Sequence, residues 1–513
     1  MTTAPVTPYR SQAAAGRMSF WHLVHAEWTK FRTVRGWMIA MIVTVMAITA
    51  FVFLASNVSS SCSGSACPAQ PAGPGGEPVT DAFYFAHQPL TGNGTITVQM
   101  TSLAGQVAAG PSQTAPGLQP WSKAGIIIKQ NTSQGSAYAA MMVTGSHGVR
   151  MQWDYVNDTP GLTGTLSAAS PRWLRLVRDG DTITGYDSAD GTHWTLAGTA
   201  ALPGLTSTVQ TGLFAAAPSN GNTATATGAF RHIGLSWTAA RWTGTSVGGS
   251  GPNGVPQPGT LRQSAGTITV TGSGDITPLA GDGAVLSLQR ALAGTPIGLI
   301  PLIVVGAMFI TAEYRRGLIR VSLTASPSRG RLLAAKALVI GAVSFVTGVI
   351  AAALAVAVGA PILARTGVPL WPVPALTLAR MIVGTGALLA VAAVLALAVG
   401  TAARRSATAV AAAIVVPYLL VLVPPLLPPH VGGGGFGGGG LSLVAREWLL
   451  RITPAAGFSV QQVVPQFSQV ADAFYSPNGG YYPLAPWTGF AVECAWAAAA
   501  LALAFYLLRR RDA

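Results

Sequence analysis

A polytopic α-helical membrane protein with an inserted all-β domain is the fold class this sequence predicts, and three observations predict it. Half of the 513 residues are hydrophobic, only 9% are charged and the mean hydropathy is +0.46, a balance that suits helices facing lipid rather than a solvated surface. Six long apolar runs are joined by connections in which arginine is concentrated on alternate sides. Between the first two runs, residues 56–291 shift to Gly, Thr, Ser and Pro with short β-rich stretches, and no apolar window there is long enough to cross a bilayer.

Residues 1–18 carry Arg10 and Arg17 without an apolar run and read as a disordered cytosolic tail. In 19–35, Trp21, Val24, Trp28 and Phe31 recur on one helical face, with His22, His25, Thr29 and Arg32 on another. This is the pattern of an amphipathic helix lying at the membrane interface. His22 and His25 lack a third ligand nearby, so no metal is expected. Lys30, Arg32 and Arg35 then precede the first span, 36–55, which places the N-terminus inside. Five further spans are expected at 292–312, 337–363, 375–401, 407–427 and 487–508.

The basic residues decide the orientation. The loop 313–336 holds Arg315, Arg316, Arg320, Arg329, Arg331 and Lys336 against the single acid Glu313, and leucines among them recur at helical intervals. Arg404 and Arg405 and the terminal Arg509, Arg510 and Arg511 fall on the same side. Segments assigned to that side carry 16 Lys and Arg against 3 acids, whereas the remainder carries 14 against 13. The net charge of +14 is therefore a positive-inside bias rather than a nucleic-acid footprint. The expectation is a multi-pass protein of the plasma membrane with both termini cytoplasmic and residues 56–291 extracellular.

Within 56–291, short alternating runs bounded by turn residues predict an antiparallel sandwich, with hairpin turns at Asp179-Gly180-Asp181 and Asp190-Gly191. The segment GTITV occurs at 94–98 and again at 266–270, which suggests two similar edge strands. Cys62 and Cys67 lie just beyond the first span, where they either close a small disulfide loop or stay as free thiols. The acids do not follow calcium-loop spacing and sit where turns need them. No acid pair marks a glycosidase, though Asp154 and Asp187 are the acids such an enzyme would use. Trp121, Trp153, Trp173, Tyr186 and Trp194 are candidates for a stacking platform or for core. The run from Arg172 to Arg178, RWLRLVR, followed by YDSADGTHW, resembles concanavalin- or laminin-G-like sandwich modules over about residues 80–237. That resemblance implies a jelly-roll-like fold without assigning a sugar site.

After a glycine-rich linker, the loop 428–486 contains an amphipathic stretch with Leu443, Trp448, Leu449 and Ile452 opposed to Arg446, Glu447 and Arg451, read as a surface or partly re-entrant helix. Glu493 falls inside the last span and Arg380 near the end of another. Intramembrane ionisable residues are functional candidates, and these two are candidate partners. The chain has no phosphate-binding P-loop, nucleophile elbow or zincin helix, so it is not expected to be an enzyme by itself.

HAEWTKFRTVRGWMIA near the start, TAEYRRGLIRVSLTASPSRGRLLAAKA after the second span, and REWLLRITPAAGF with YYPLAPWTGF towards the end resemble permease subunits of type-2 ABC exporters of actinobacteria. The resemblance covers the helical half. It implies two permease subunits, as a homo- or heterodimer, working with cytosolic ABC ATPase subunits that hold ATP and Mg, while this chain binds no cofactor. By position, Glu313, Tyr314, Arg315, Arg316, Arg320, Arg329 and Arg331 would couple to the ATPase, and the helix from Phe20 to Arg35 would lie against membrane lipid. The inserted domain departs from the simpler members and would contact substrate or envelope. The competing reading is a membrane-anchored carbohydrate-binding or sensing protein.

Overall fold

The computed structural model describes residues 19–55, 70–110, 113–164, 166–167, 169–218, 224–248, 259–279, 287–315, 317, 328–365, 370–422, 443–465, 467–469 and 482–510. Among the described residues, helices α1 (Phe20–Thr33) and α2 (Arg35–Ala55) precede seventeen strands, and α3 (Thr295–Arg315), α4 (Arg329–Ala364), α5 (Ala375–Ala403), α6 (Ser406–Leu422), α7 (Leu443–Ile452) and α8 (Pro486–Arg510) follow them. A 3₁₀ turn, Leu288–Leu292, leads into α3, and a second, Pro454–Gln461, follows α7.

Five described helical stretches are long and apolar enough to cross a membrane: Arg35–Leu54, Leu288–Arg315, Arg329–Ala364, Ala375–Ala403 and Pro486–Arg510. The sixth expected span corresponds to α6, described for 17 residues, and the remainder of the run lies outside the described residues. At a rise of about 1.5 Å per residue, α4 with its 36 residues is longer than a hydrocarbon layer of roughly 30 Å requires. The helices pack through small residues, which let backbones approach closely where no water drives association. A Cβ at Gly306 of α3 would stand 2.7 Å from the Ala393 carbonyl of α5, and one at Gly400 of α5 would stand 2.8 Å from the Ala307 carbonyl of α3. These reciprocal contacts fix the α3–α5 crossing.

In chain order the strands are β1 (Val79–Asp81), β2 (Phe83–Thr91), β3 (Gly94–Gly110), β4 (Gln113–Pro116), β5 (Lys123–Lys129), β6 (Tyr138–Thr144), β7 (Val149–Trp153), β8 (Asn157–Pro160) and β9 (Arg172–Asp179). They continue as β10 (Thr182–Ser188), β11 (Thr195–Ala201), β12 (Thr208–Ala216), β13 (Thr225–Leu235), β14 (Thr243–Val247), β15 (Thr260–Ser264), β16 (Thr267–Gly272) and β17 (Ile276–Pro278). One sheet runs β11-β10-β9-β3-β13-β16-β15 with β4 attached to β3; the other runs β14-β2-β12-β5-β6-β7-β8. All pairings among the described residues are antiparallel, as in the register Ile96↔Leu176 and Ile126↔Met141. Ile96, Val98, Leu174 and Leu176 of the first sheet share one apolar cluster with Ile126, Ile128, Met141 and Met151 of the second. Both copies of GTITV are interior: β3 lies between β9 and β13, and β16 between β13 and β15. Their apolar Ile and Val face the shared core, which a strand flanked on both sides serves as well as an edge does.

The two sheets differ on their far faces. Strands β9, β16 and the first half of β3 alternate buried and half-buried residues, whereas every residue of β5 and β6 is buried. The second sheet is covered because the segments entering and leaving the β-domain pair as β1 and β17 and lie on it with Phe83, Phe85, Ile127, Met142 and Phe214. Two lysines at the ends of β5 fasten this ribbon. Lys123 Nζ is 2.6 Å from Asp275 Oδ1, and Lys129 Nζ is 2.8 Å from Asp81 Oδ2. Burial pulls the Lys129 ammonium below its ordinary range, opposed by the charge and hydrogen bond of Asp81.

The acids of the 179–181 turn are held by amides of neighbouring turns. Asn93 Nδ2 donates to Asp179 Oδ1 at 2.7 Å, and the Gly204 N–H donates to Asp181 Oδ2 at 3.0 Å. The five aromatic residues do not form one platform. Trp121 is buried and stacks on His147 at 3.9 Å, while Trp194 lies 3.7 Å from the Arg175 guanidinium on the far side of the other sheet.

Candidate functional site at the basic end of the bundle

Helices α3 and α4 bracket the basic stretch, and their described ends extend into it, so Glu313 and Tyr314 belong to α3, and Arg329, Arg331 and Lys336 to α4. Arg316 and Arg320 lie outside the described residues, as do Cys62 and Cys67. Arg315 and Arg331 are exposed. Arg329 donates to the carbonyls of Leu508 and Arg509, placing a cation on the last turn of α8. The Arg404 guanidinium, at the left-handed cap of α5, sits 5.4 Å from the Tyr314 ring.

The centre of the site is Lys336, which has no exposed surface. Its Nζ is 2.7 Å from Glu27 Oε2 of α1 and 2.8 Å from Glu313 Oε1 of α3. Lys30 of α1 completes the ring, 2.8 Å from Glu27 Oε1 and 3.1 Å from Glu313 Oε1. Two carboxylates and two ammonium groups thus balance, and the consecutive helices α3 and α4 meet the sequence-distant α1 at one knot. The Lys336 ammonium also lies 4.6 Å from the Phe309 ring, on which Phe31 and Trp37 pack edge-on at 5.9 and 5.2 Å. Taking such charges out of water costs several kcal/mol per ion, which the mutual pairing of the four groups offsets.

The knot rearranges the expected face of α1. Its buried row is Leu23, Glu27 and Phe31, spaced by four residues, while Trp21 and Trp28 are exposed and Val24 is half-buried. Glu27 turns inward because Lys336 is there, so the apolar stripe divides: Phe31 enters the bundle and the two tryptophans face outward. Sequence reading did not select Glu27 or Lys30. The available signal was Lys336, a lone lysine opening an apolar helix, which needs carboxylate partners if buried.

Glu493 and Arg380 do not pair. Glu493 is fully buried and accepts from Tyr418 Oη at 2.9 Å, while Arg380 donates to the Gln462 carbonyl. The 3₁₀ turn Pro454–Gln461 intervenes: it is buried throughout and presses Gly457 so closely on Glu493 that a Cβ there would overlap Oε2. The stretch after α7 is therefore packed into the helices rather than laid along a surface.

Among solved structures, the chain is similar to a functionally unknown protein from Saccharomyces cerevisiae, with 14% identity over 34% of this chain and 84% of that one and a TM-score of 0.21. It is also similar to scytalido-glutamic peptidase, with 7% identity over 37% and 98% of the two chains and a TM-score of 0.24. A third is a GH43 protein from Bacillus licheniformis, with 17% identity over 26% of each chain and a TM-score of 0.18. No curated protein matches the chain. Residues 21–513, from α1 to the last arginine cluster, match the ABC-2 family transporter protein, and the chain belongs to that family, as a multi-pass permease component of an ABC transporter.

Proposed function

We propose that this chain is the membrane-spanning subunit of an ATP-driven exporter, paired with a second permease subunit and driven by a separate cytosolic ATPase that holds ATP and Mg. Six spans put both termini in the cytoplasm and residues 56–291 outside, where the two sheets form a jelly-roll-like sandwich that contacts substrate or envelope. The observation that carries this reading is the Lys336 knot. It ties α1, α3 and α4 together beside the exposed Arg315 and Arg331, so a force applied to that end reaches three helices at once. Arg315, Arg316, Arg320 and Arg331 form the socket for the motor, and Glu313 transmits load inward to Lys336.

The test is purification of the full chain from its native cells, followed by identification of any ABC ATPase that copurifies. Copurification that is lost when Arg315 and Arg331 are both changed to Glu, with membrane insertion intact, is the expected result. If no ATPase copurifies with the native chain, the reading fails.

A further inference from the structure

The β-domain is held to the helices by more than its two linkers. Gln461, the last residue of the buried 3₁₀ turn, donates from Nε2 to Thr295 Oγ1 and to Thr385 Oγ1, each at 3.0 Å. One buried amide therefore bridges α3 and α5 at the end of the bundle nearest the β-domain. Arg380 of α5 donates to the carbonyl of the next residue, Gln462. Further along the same loop, Phe467 packs on Trp371 at 5.6 Å. Ser468 Oγ donates to Asp158 Oδ2 at 2.6 Å, and Gln469 Nε2 donates to the Tyr155 carbonyl at 2.8 Å.

The turn that receives Gln469 is unusual. Asp154 and Tyr155, between β7 and β8, both have left-handed φ, at 45° and 63°, a conformation that persists in non-glycine residues only where the surroundings impose it. Here they do: the Tyr155 ring is buried, and its hydroxyl donates to Asp81 Oδ2 at 2.7 Å, the same oxygen that Lys129 holds. Val156 packs against the core of the helical bundle. Polar contacts thus fasten both ends of this loop, Gln461 to α3 and α5 and Gln469 to Tyr155, whose hydroxyl holds the clamped linker strand β1.

We infer that this loop is a strap that carries displacement of α3 against α5 to the β-domain, which moves with the helices instead of hanging from flexible linkers. The physical reason is the cost of an unpaired buried amide. If α3 and α5 shift, Gln461 either follows one of them or leaves its amide unsatisfied, and its movement is passed along the loop to Tyr155. The inference rests on the permease reading for the source of the displacement.

The experiment uses the full chain in nanodiscs with its copurified ATPase, followed by hydrogen exchange with and without vanadate-trapped nucleotide. Trapping is expected to change exchange at residues 154–158 by roughly ten-fold, the worth of about one buried hydrogen bond. The change should vanish in Q461A and Q469A while the β9–β10 hairpin keeps its protection, which separates loss of the strap from unfolding. A turn that ignores trapping in the native chain, while α3 and α4 respond at their basic ends, overturns the strap and leaves the permease reading standing. If no ATPase copurifies, the permease reading fails by itself. The strap is then judged on the resting protein, where Q461A must loosen residues 154–158, and an unchanged turn overturns it.

Discussion

Lys336 sits without solvent contact between Glu27 and Glu313, so removing it leaves two buried carboxylates sharing the half-exposed Lys30 alone. K336M is expected to lower stability by about 3–5 kcal/mol, the usual cost of breaking a buried ion pair from one side, as read by thermal unfolding in detergent. Adding E27Q and E313Q should recover most of that loss; a triple variant as unstable as K336M would show that packing, not charge, is at stake. Asp154 offers a second test. Burial raises its carboxyl to about 6, against the hydrogen bond from the Tyr138 N–H and the attraction of Lys129. Because the folded state holds this proton more tightly than the unfolded chain, Asp154 makes stability fall as pH rises from the ordinary carboxylate range to about 6, with no further loss from this group above that. D154N should flatten that part of the stability profile of the full chain, and an unchanged slope would count against the assignment. Neither role could be read from sequence, because each depends on groups supplied by other elements.

At the scale of elements, α1 is the informative case. Periodicity showed a helix with an apolar stripe, and a helix is present from Phe20 to Thr33. Which side is buried was set by a lysine more than 300 residues away, and a helical pattern has no access to that. F31A should therefore cost about 3–5 kcal/mol, as for a buried aromatic side chain, whereas W21A should change stability by less than about 0.5 kcal/mol, as exposed sites do. Equal effects would restore the undivided stripe. The crossing of α4 and α5 supplies another test, since a Cβ at Gly348 would meet the Gly386 Cα at 2.8 Å. G348L should prevent folding or force the two helices apart, lowering the yield of monodisperse protein; a normal yield would mean that the crossing is looser than described. The re-entrant packing of Pro454–Gln461 was partly legible in its apolar, proline-containing sequence, but its pressure on Glu493 was not.

For the whole molecule, topology is the property that charge counting reaches best, because the cost of moving arginines across a bilayer acts on each loop separately. A single cysteine at exposed Thr199 should react with an impermeant maleimide on intact cells, and one at exposed Arg331 should react only after lysis. The opposite pattern would invert the proposed orientation.

The sequence by itself determined the division into apolar helices and an antiparallel β insert, the positions of the basic clusters and the family likeness, since each is written in local composition or periodicity. Only the tertiary structure decided that Glu27, Lys30, Glu313 and Lys336 form one neutral knot, that Glu493 takes Tyr418 rather than Arg380, and that two lysines clamp the linkers to β5. Burial of a charge is a property of the assembled molecule, and so is the identity of the group that makes burial tolerable.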